Sequence, residues 1–141
     1  MHRFRCPGLG LLFLGLVALP AAAQRSSELS GTVLEEPRPN PILPAALVPF
    51  AIGSDLCRRG HTPLVSVRVH NIFTVPVAPF HLRDHPSVAL DSVPLRCGQY
   101  VAQWDGTING GTRAAPPGIY YVLLTVDGRN AGTKRMVVTS P

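Results

Sequence analysis

Fifteen prolines and thirteen glycines are spread along the whole of this 141-residue chain. Proline inside a helix removes a hydrogen bond and clashes with the preceding turn, and glycine there is entropically unfavourable. Apart from an apolar N-terminus, no stretch of ten or more residues keeps an uninterrupted 3.6-residue apolar period. A helical bundle and a coiled coil are thereby excluded. At this length, with 45% hydrophobic and only 15% charged residues, the chain fits one small domain and leaves no room for a two-domain enzyme.

The remaining pattern is that of β-strands. Val65, Val67 and Val69 alternate with Ser66, Arg68 and His70, so Leu64 to His70 reads as a strand with one wet face. Strands are also expected at Leu47 to Ile52, Ile72 to Val77, Tyr100 to Trp104, Ile119 to Val126 and Arg135 to Thr139. Pro76 places the Ile72 to Val77 strand at an edge or kinks it, and Pro79 to Pro94 reads as an irregular excursion broken by Pro86. Residues 24 to 39 are polar with alternating prolines and read as an extended linker holding at most one short strand, Leu29 to Leu34. Short strands without intervening helices make an antiparallel sandwich, here of about seven strands over residues 40–141.

Residues 1–23 are set apart. Arg3 and Arg5 precede an apolar core from Leu9 to Leu19, followed by Ala21-Ala22-Ala23, the layout of a cleaved secretory signal peptide. Leu9 to Ala23 as a helix would span about 22 Å, short of the ~30 Å hydrocarbon core, which disfavours an uncleaved anchor. Removal leaves 118 residues with eleven basic side chains against eight acidic ones. The excess is mild, and its only adjacent pairs are Arg58-Arg59 and Lys134-Arg135, so a nucleic-acid partner is not expected. Export also places Cys57 and Cys97 in an oxidising compartment, where a disulfide is expected; forty residues of separation do not match a Cys-x-x-Cys redox or metal motif.

The C-terminal third carries the densest motif. Trp104 ends a strand as a core residue, Asp105-Gly106 and Asn109-Gly110 supply tight turns, Gly118 starts the strand of Tyr120, and Lys134-Arg135-Met136 belongs to the closing strand. This series resembles the immunoglobulin-like domain of the flagellar hook-capping protein and the related C-terminal sorting domain of type IX secretion cargo. Pro39-Asn40-Pro41-Ile42 resembles the opening segment of that family, and the likeness spans about 100 of the 118 residues, the size of one sandwich. His70-Asn71, Thr74-Val75-Pro76 and the His81 to Pro94 loop depart from the family pattern, all on the surface of the central hairpin. The resemblance implies an immunoglobulin-like fold and a small extracytoplasmic sandwich that contacts other proteins through its loops and sheet edges.

Catalytic signals are few. No Gly-x-Ser-x-Gly and no phosphate loop occurs, and the adjacent acids Glu35-Glu36 sit in the linker, where they face solvent. His81, Asp84 and His85, with Arg83 between them, are the one cluster with metal-ligand chemistry, and a loop lacks the rigid helical spacing that makes such pairs specific. Tyr120 and Tyr121 point to opposite faces of one strand. With Tyr120 inward beside Val122 and Leu124, the outer face of Tyr121, Leu123 and Thr125 is unusually apolar, as if covered by the N-terminal linker or a partner.

The sequence therefore predicts an exported, disulfide-bonded, all-β immunoglobulin-like sandwich without enzymatic activity or cofactor. Its expected role is that of a structural or interaction module of a periplasmic, membrane-associated or cell-surface assembly, contacting other proteins through Tyr121, Leu123, His81, Arg83 and His85. A metal-binding protein using His81, Asp84 and His85, and a membrane-tethered subunit keeping residues 1–23, are the alternatives.

Overall fold

A computed structural model describes Gly15 and residues 31–42 and 45–139. The expected signal peptide, residues 1–23, and the first part of the linker lie outside the described residues, Gly15 excepted. Strands β1 (Val33–Leu34), β2 (Ala46–Ile52), β7 (Gly98–Trp104) and β5 (His81–Leu82) form one sheet in the order β1-β2-β7-β5. The second sheet runs β11 (Arg129–Val138), β10 (Gly118–Val126), β3 (Leu64–His70), β4 (Pro76–Pro79), with β6 (Val93–Pro94) also paired to β3. Strands β8 (Thr107–Ile108) and β9 (Arg113–Ala114) make a separate small hairpin, and a 3-10 segment spans Ser54–Gly60. The strand pairs within both sheets are antiparallel, so the chain is an all-β sandwich.

Alternation dictates the core. Val65, Val67 and Val69 of β3, Val122 and Leu124 of β10 and Met136 of β11 face Val48 and Ile52 of β2 and Ala102 and Trp104 of β7, all of them buried. Burial of a side chain of this size stabilises by roughly 1.5–3 kcal/mol. Trp104 sits between Phe80 and Tyr120, with ring centroids 6.3 and 6.2 Å away. Both polar handles are satisfied, since Trp104 Nε1 donates to the Thr107 carbonyl at 2.8 Å and the Tyr120 hydroxyl to the Pro116 carbonyl at 2.7 Å. Desolvation raises the Tyr120 pKa, and the nearby Arg113 charge opposes that shift. Cys57 of the 3-10 segment is bonded to Cys97 just before β7, the expected disulfide.

Four expectations need correction. Residues 72–75 are not strand: the chain turns after His70 and β4 begins only at Pro76. The Pro79 to Pro94 stretch is not a mere excursion, because it contributes β5 and β6 and buries Phe80 and Leu90 completely. Leu90 N donates to the Phe80 carbonyl and Val67 N to the Leu90 carbonyl, which stitches this stretch to β3. The described part of the linker carries the short strand expected within Leu29 to Leu34, as β1, but is docked on the sandwich rather than leading up to it: Val33 and Leu34 pair with Ala51 and Phe50, and Arg38 bridges to Leu47. Finally, β11 starts at Arg129 because Asp127 and Gly128 both take positive φ, 50° and 77°, closing a tight hairpin with β10.

The N-terminal arm then crosses to the second sheet. Leu34 lies over Gly132 of β11, where a Cβ would stand 2.8 Å from the Leu34 Cβ. Asn40 Oδ1 accepts from Val137 N at 3.0 Å and Ile42 N donates to the Val137 carbonyl at 2.8 Å, so the arm covers the outer edge of β11. At the opposite edge, β4 is four residues long and begins and ends in proline. The β11 edge is thus held near its C-terminal end and the β4 edge is short and bounded by proline, both of which disfavour pairing with another strand there.

Candidate interaction surface

Of the six large apolar side chains exposed among the described residues, four gather at the turn between β3 and β4, while Val33 and Leu64 lie apart. Asn71 builds it: its Oδ1 accepts from Phe73 N at 2.9 Å and from Val75 N at 3.1 Å. Its backbone N donates to the Val75 carbonyl and its carbonyl accepts from Thr74 N, each at 3.0 Å, while Thr74 takes φ 61°. The hydrogen bonds of Asn71 are thereby spent within the turn, and the two central side chains point outward. Ile72 is 60% exposed, Phe73 76% and Val75 51%; Ile119 at the start of β10 adds 39%. A shallow cavity of about 200 Å³ lies among Ile72, Phe73, Pro117, Ile119 and Tyr120.

The electrostatic setting of this end is one-sided. The described residues that build it, 40–42, 70–80, 109–122 and 135–139, contain no Asp or Glu, whereas Arg113 and Arg135 belong to them. Arg135 is in register with Tyr121, and Tyr121 with His70, the residue before the turn. On the other sheet the carboxylate at this end is Asp105, which accepts from Thr107 N at 2.9 Å and Thr107 Oγ1 at 2.6 Å. The Thr107 hydroxyl lowers its pKa most, with the His81 charge a minor contribution. The His70 pKa is lowered by desolvation, and its Nδ1 is buried without a hydrogen-bond partner among the described residues.

The residues singled out from the sequence are scattered by comparison. Tyr121, Leu123 and Thr125 do face outward, half-buried, but register places Arg68, His70, Arg135 and Thr133 beside them. Arg68 is paired with Asp91. The apolar face expected on β10 is therefore an amphipathic one, because the strands on both sides supply polar neighbours. The described linker residues pack at Gly132 and along β11 rather than across Tyr121.

His81, Arg83, Asp84 and His85 do not converge either. His81 is paired with Gln103 on β7 and lines a cavity with Trp104 and Asp105. Asp84 lines a different one with Glu35, Pro49 and Tyr100. Arg83 N is tied to the Val101 carbonyl, and the His85 carbonyl closes a turn with Val88 N. Among the described residues no three of His, Cys, Asp and Glu are grouped so as to hold a metal ion. Of the motif residues, Trp104 and Met136 are core, Gly106, Asn109 and Gly110 have the positive φ of turns, and Gly118 opens β10. Lys134 reaches Glu36 at 3.1 Å while Arg135 faces the other way, so the basic pair is split between two surfaces.

Two further charged groups are structural. Asp127 Oδ1 accepts from Leu64 N at 2.9 Å and Oδ2 from His61 Nε2 at 2.9 Å, fixing the β10–β11 turn against β3. The Leu64 N–H, then His61, lower its pKa. Among the described residues no helix is long and apolar enough to cross a membrane. Compared with protein-family models, curated proteins and solved structures, the chain matches none of them.

Ile72, Phe73 and Val75 were not legible as surface, since three β-prone residues in sequence look like strand. The available signal was Asn71, whose short amide competes with the sheet for backbone hydrogen bonds, followed at Pro76 by a residue with no N–H to pair.

Proposed function

We propose that this chain is an exported, non-enzymatic interaction module that works as an accessory subunit or binding domain of an envelope or cell-surface assembly, and that the β3–β4 turn is its contact element. The observation that carries this reading is the exposure of Ile72 and Phe73 on a turn held by four hydrogen bonds of Asn71. Apolar side chains displayed on a rigid turn mark a contact site more than scattered surface residues do. The groups with shifted pKa, Asp105, Asp127, His70 and Tyr120, serve turns and core and are not gathered around one cavity. The resemblance of the Trp104 to Met136 motifs to the hook-capping and type IX sorting domains fits a scaffolding role of this kind.

The test is native fractionation of the source envelope with the wild-type chain and with Ile72→Ser/Phe73→Ser. The wild type is expected to migrate in a large or membrane-bound fraction, from which the double variant, folded and equally abundant, is released. Equal migration of both as free monomers would overturn the reading.

A further inference from the structure

We infer that the β3–β4 turn inserts Ile72 and Phe73 into the interface of a lipid bilayer bearing anionic headgroups. The inference rests on the reading of that turn as a contact element and assigns its partner. Three observations favour lipid over protein. The exposed parts of Ile72, Phe73, Val75 and Ile119 amount to about 400 Å² of apolar surface, roughly half of what one partner contributes to a stable protein interface. A bilayer needs no matching surface and takes up a small apolar projection by partitioning. The apolar residues also lie on a projecting turn, and a projection enters a fluid interface without a complementary groove.

Charge supplies the third argument. The segments that build this end hold Arg113 and Arg135 and no acidic residue; Asp105 on the adjoining sheet keeps its negative charge, held by Thr107, so cations outnumber carboxylates there by two to one. Arg135 stands in the register row of Tyr121 and His70, one residue behind the turn. That arrangement puts an amphipathic aromatic and a cation at headgroup level when Phe73 lies among the acyl chains. Next to the turn, the short proline-bounded β4 and the arm on Val137 of β11 disfavour strand addition as a competing mode.

The experiment follows the turn itself, so that binding through any other part of the chain does not count. In the full chain, Phe73→Trp places an indole at the tip; the one native tryptophan, Trp104, is 2% exposed and sits in the core. Vesicles of phosphatidylcholine with about 30% phosphatidylglycerol, a fraction that gives a distinctly negative surface, are compared with pure phosphatidylcholine, each with and without brominated acyl chains. The new indole is expected to shift to shorter wavelength and to be quenched by bromine on the anionic vesicles. Ile72→Ser, at an exposed position that leaves the fold intact, weakens binding roughly tenfold. Arg135→Gln weakens it about fivefold at low salt, a difference that disappears at high salt.

Vesicle binding with the tip indole unquenched would overturn the inference. So would the absence of insertion while Ile72→Ser/Phe73→Ser still releases the chain from its envelope fraction, an outcome that names a protein partner and leaves the interaction reading standing. If the tip substitutions change neither vesicle binding nor fractionation, both fall together.

Discussion

Alanine at position 132 is expected to destabilise the domain, against the usual sign. Glycine in the middle of a strand normally weakens it relative to alanine by roughly 0.5–1 kcal/mol, so Gly132→Ala ought to stabilise β11 if space were open. Instead the added Cβ would stand 2.8 Å from the Leu34 Cβ and 3.5 Å from its Cδ2. The nearest obstacle is the atom bonded to the Leu34 backbone rather than a side-chain end, so relief requires β1 to move as a unit. Leu34 is 5% exposed and belongs to a two-residue strand, which makes the arm the part that yields. Overpacking of this kind typically costs about 1–3 kcal/mol. For a domain near 100 residues each kcal/mol lowers Tm by roughly 4–8 °C, so a fall on the order of 5–20 °C is expected. The decisive assay is the same substitution made in a Leu34→Gly background, with near-UV circular dichroism following thermal unfolding. Leu34→Gly removes the obstructing Cβ, and there Gly132→Ala is expected to be neutral or to stabilise by about 0.5 kcal/mol. An equal loss in both backgrounds would refute the close approach of the arm to β11.

Other perturbations test separate parts of the structure. Asp127 has a folded-state pKa below its ordinary value because Leu64 N–H and His61 hold the carboxylate, so its stabilisation is present above about pH 4 and is lost as pH falls through the lowered pKa. Acid unfolding curves of Asp127→Asn should therefore lie closer to the neutral-pH stability than those of the wild type, and parallel curves would contradict the assignment. Reducing the Cys57–Cys97 bond, or replacing both cysteines by serine, is expected to destabilise by up to roughly 4 kcal/mol from the loop it closes, read as a shift in denaturant midpoint. Zinc should leave Tm equally unaffected in the wild type and in His81→Ala/His85→Ala, because His81 and Asp84 face different cavities. A zinc-dependent rise in the wild type that is absent in the double variant would restore the metal-binding alternative.

The sandwich was legible wherever side chains alternate. The run Val65 to His70 and the run Tyr120 to Val126 announce their faces directly, and the turns at Asp105-Gly106 and Asn109-Gly110 announce the ends of their strands. Asp127-Gly128 carried an equally good turn signal, and reading it would have started β11 at Arg129 instead of Arg135. Phe80 and Leu90 were hidden for a different reason. Phe80 lies among Val77, Ala78 and Leu82 but between prolines and a charged loop, and Leu90 ends the three-residue run Val88-Ala89-Leu90, runs too short to read as strands until pairing with Val67 draws both residues inward. The exposed β3–β4 turn misled in the opposite way. Ile72, Phe73 and Val75 have strand composition, yet Asn71 takes the hydrogen bonds that a strand would need, so residues that look like core are displayed. Of the residues chosen from the sequence as partner contacts, Tyr121 comes near the turn, in register with His70, the residue before it.

The hold of the N-terminal arm on β11 bears on how this protein survives after synthesis. Asn40 and Ile42 occupy both backbone groups of Val137, near the C-terminal end of the ten-residue edge strand β11. A proteolytic cut that releases the arm would bare this end of β11 and lengthen the edge open to edge-to-edge stacking. Colloidal stability of the sandwich is therefore vested in a segment outside its main strands, and clipped preparations should precipitate well before they unfold.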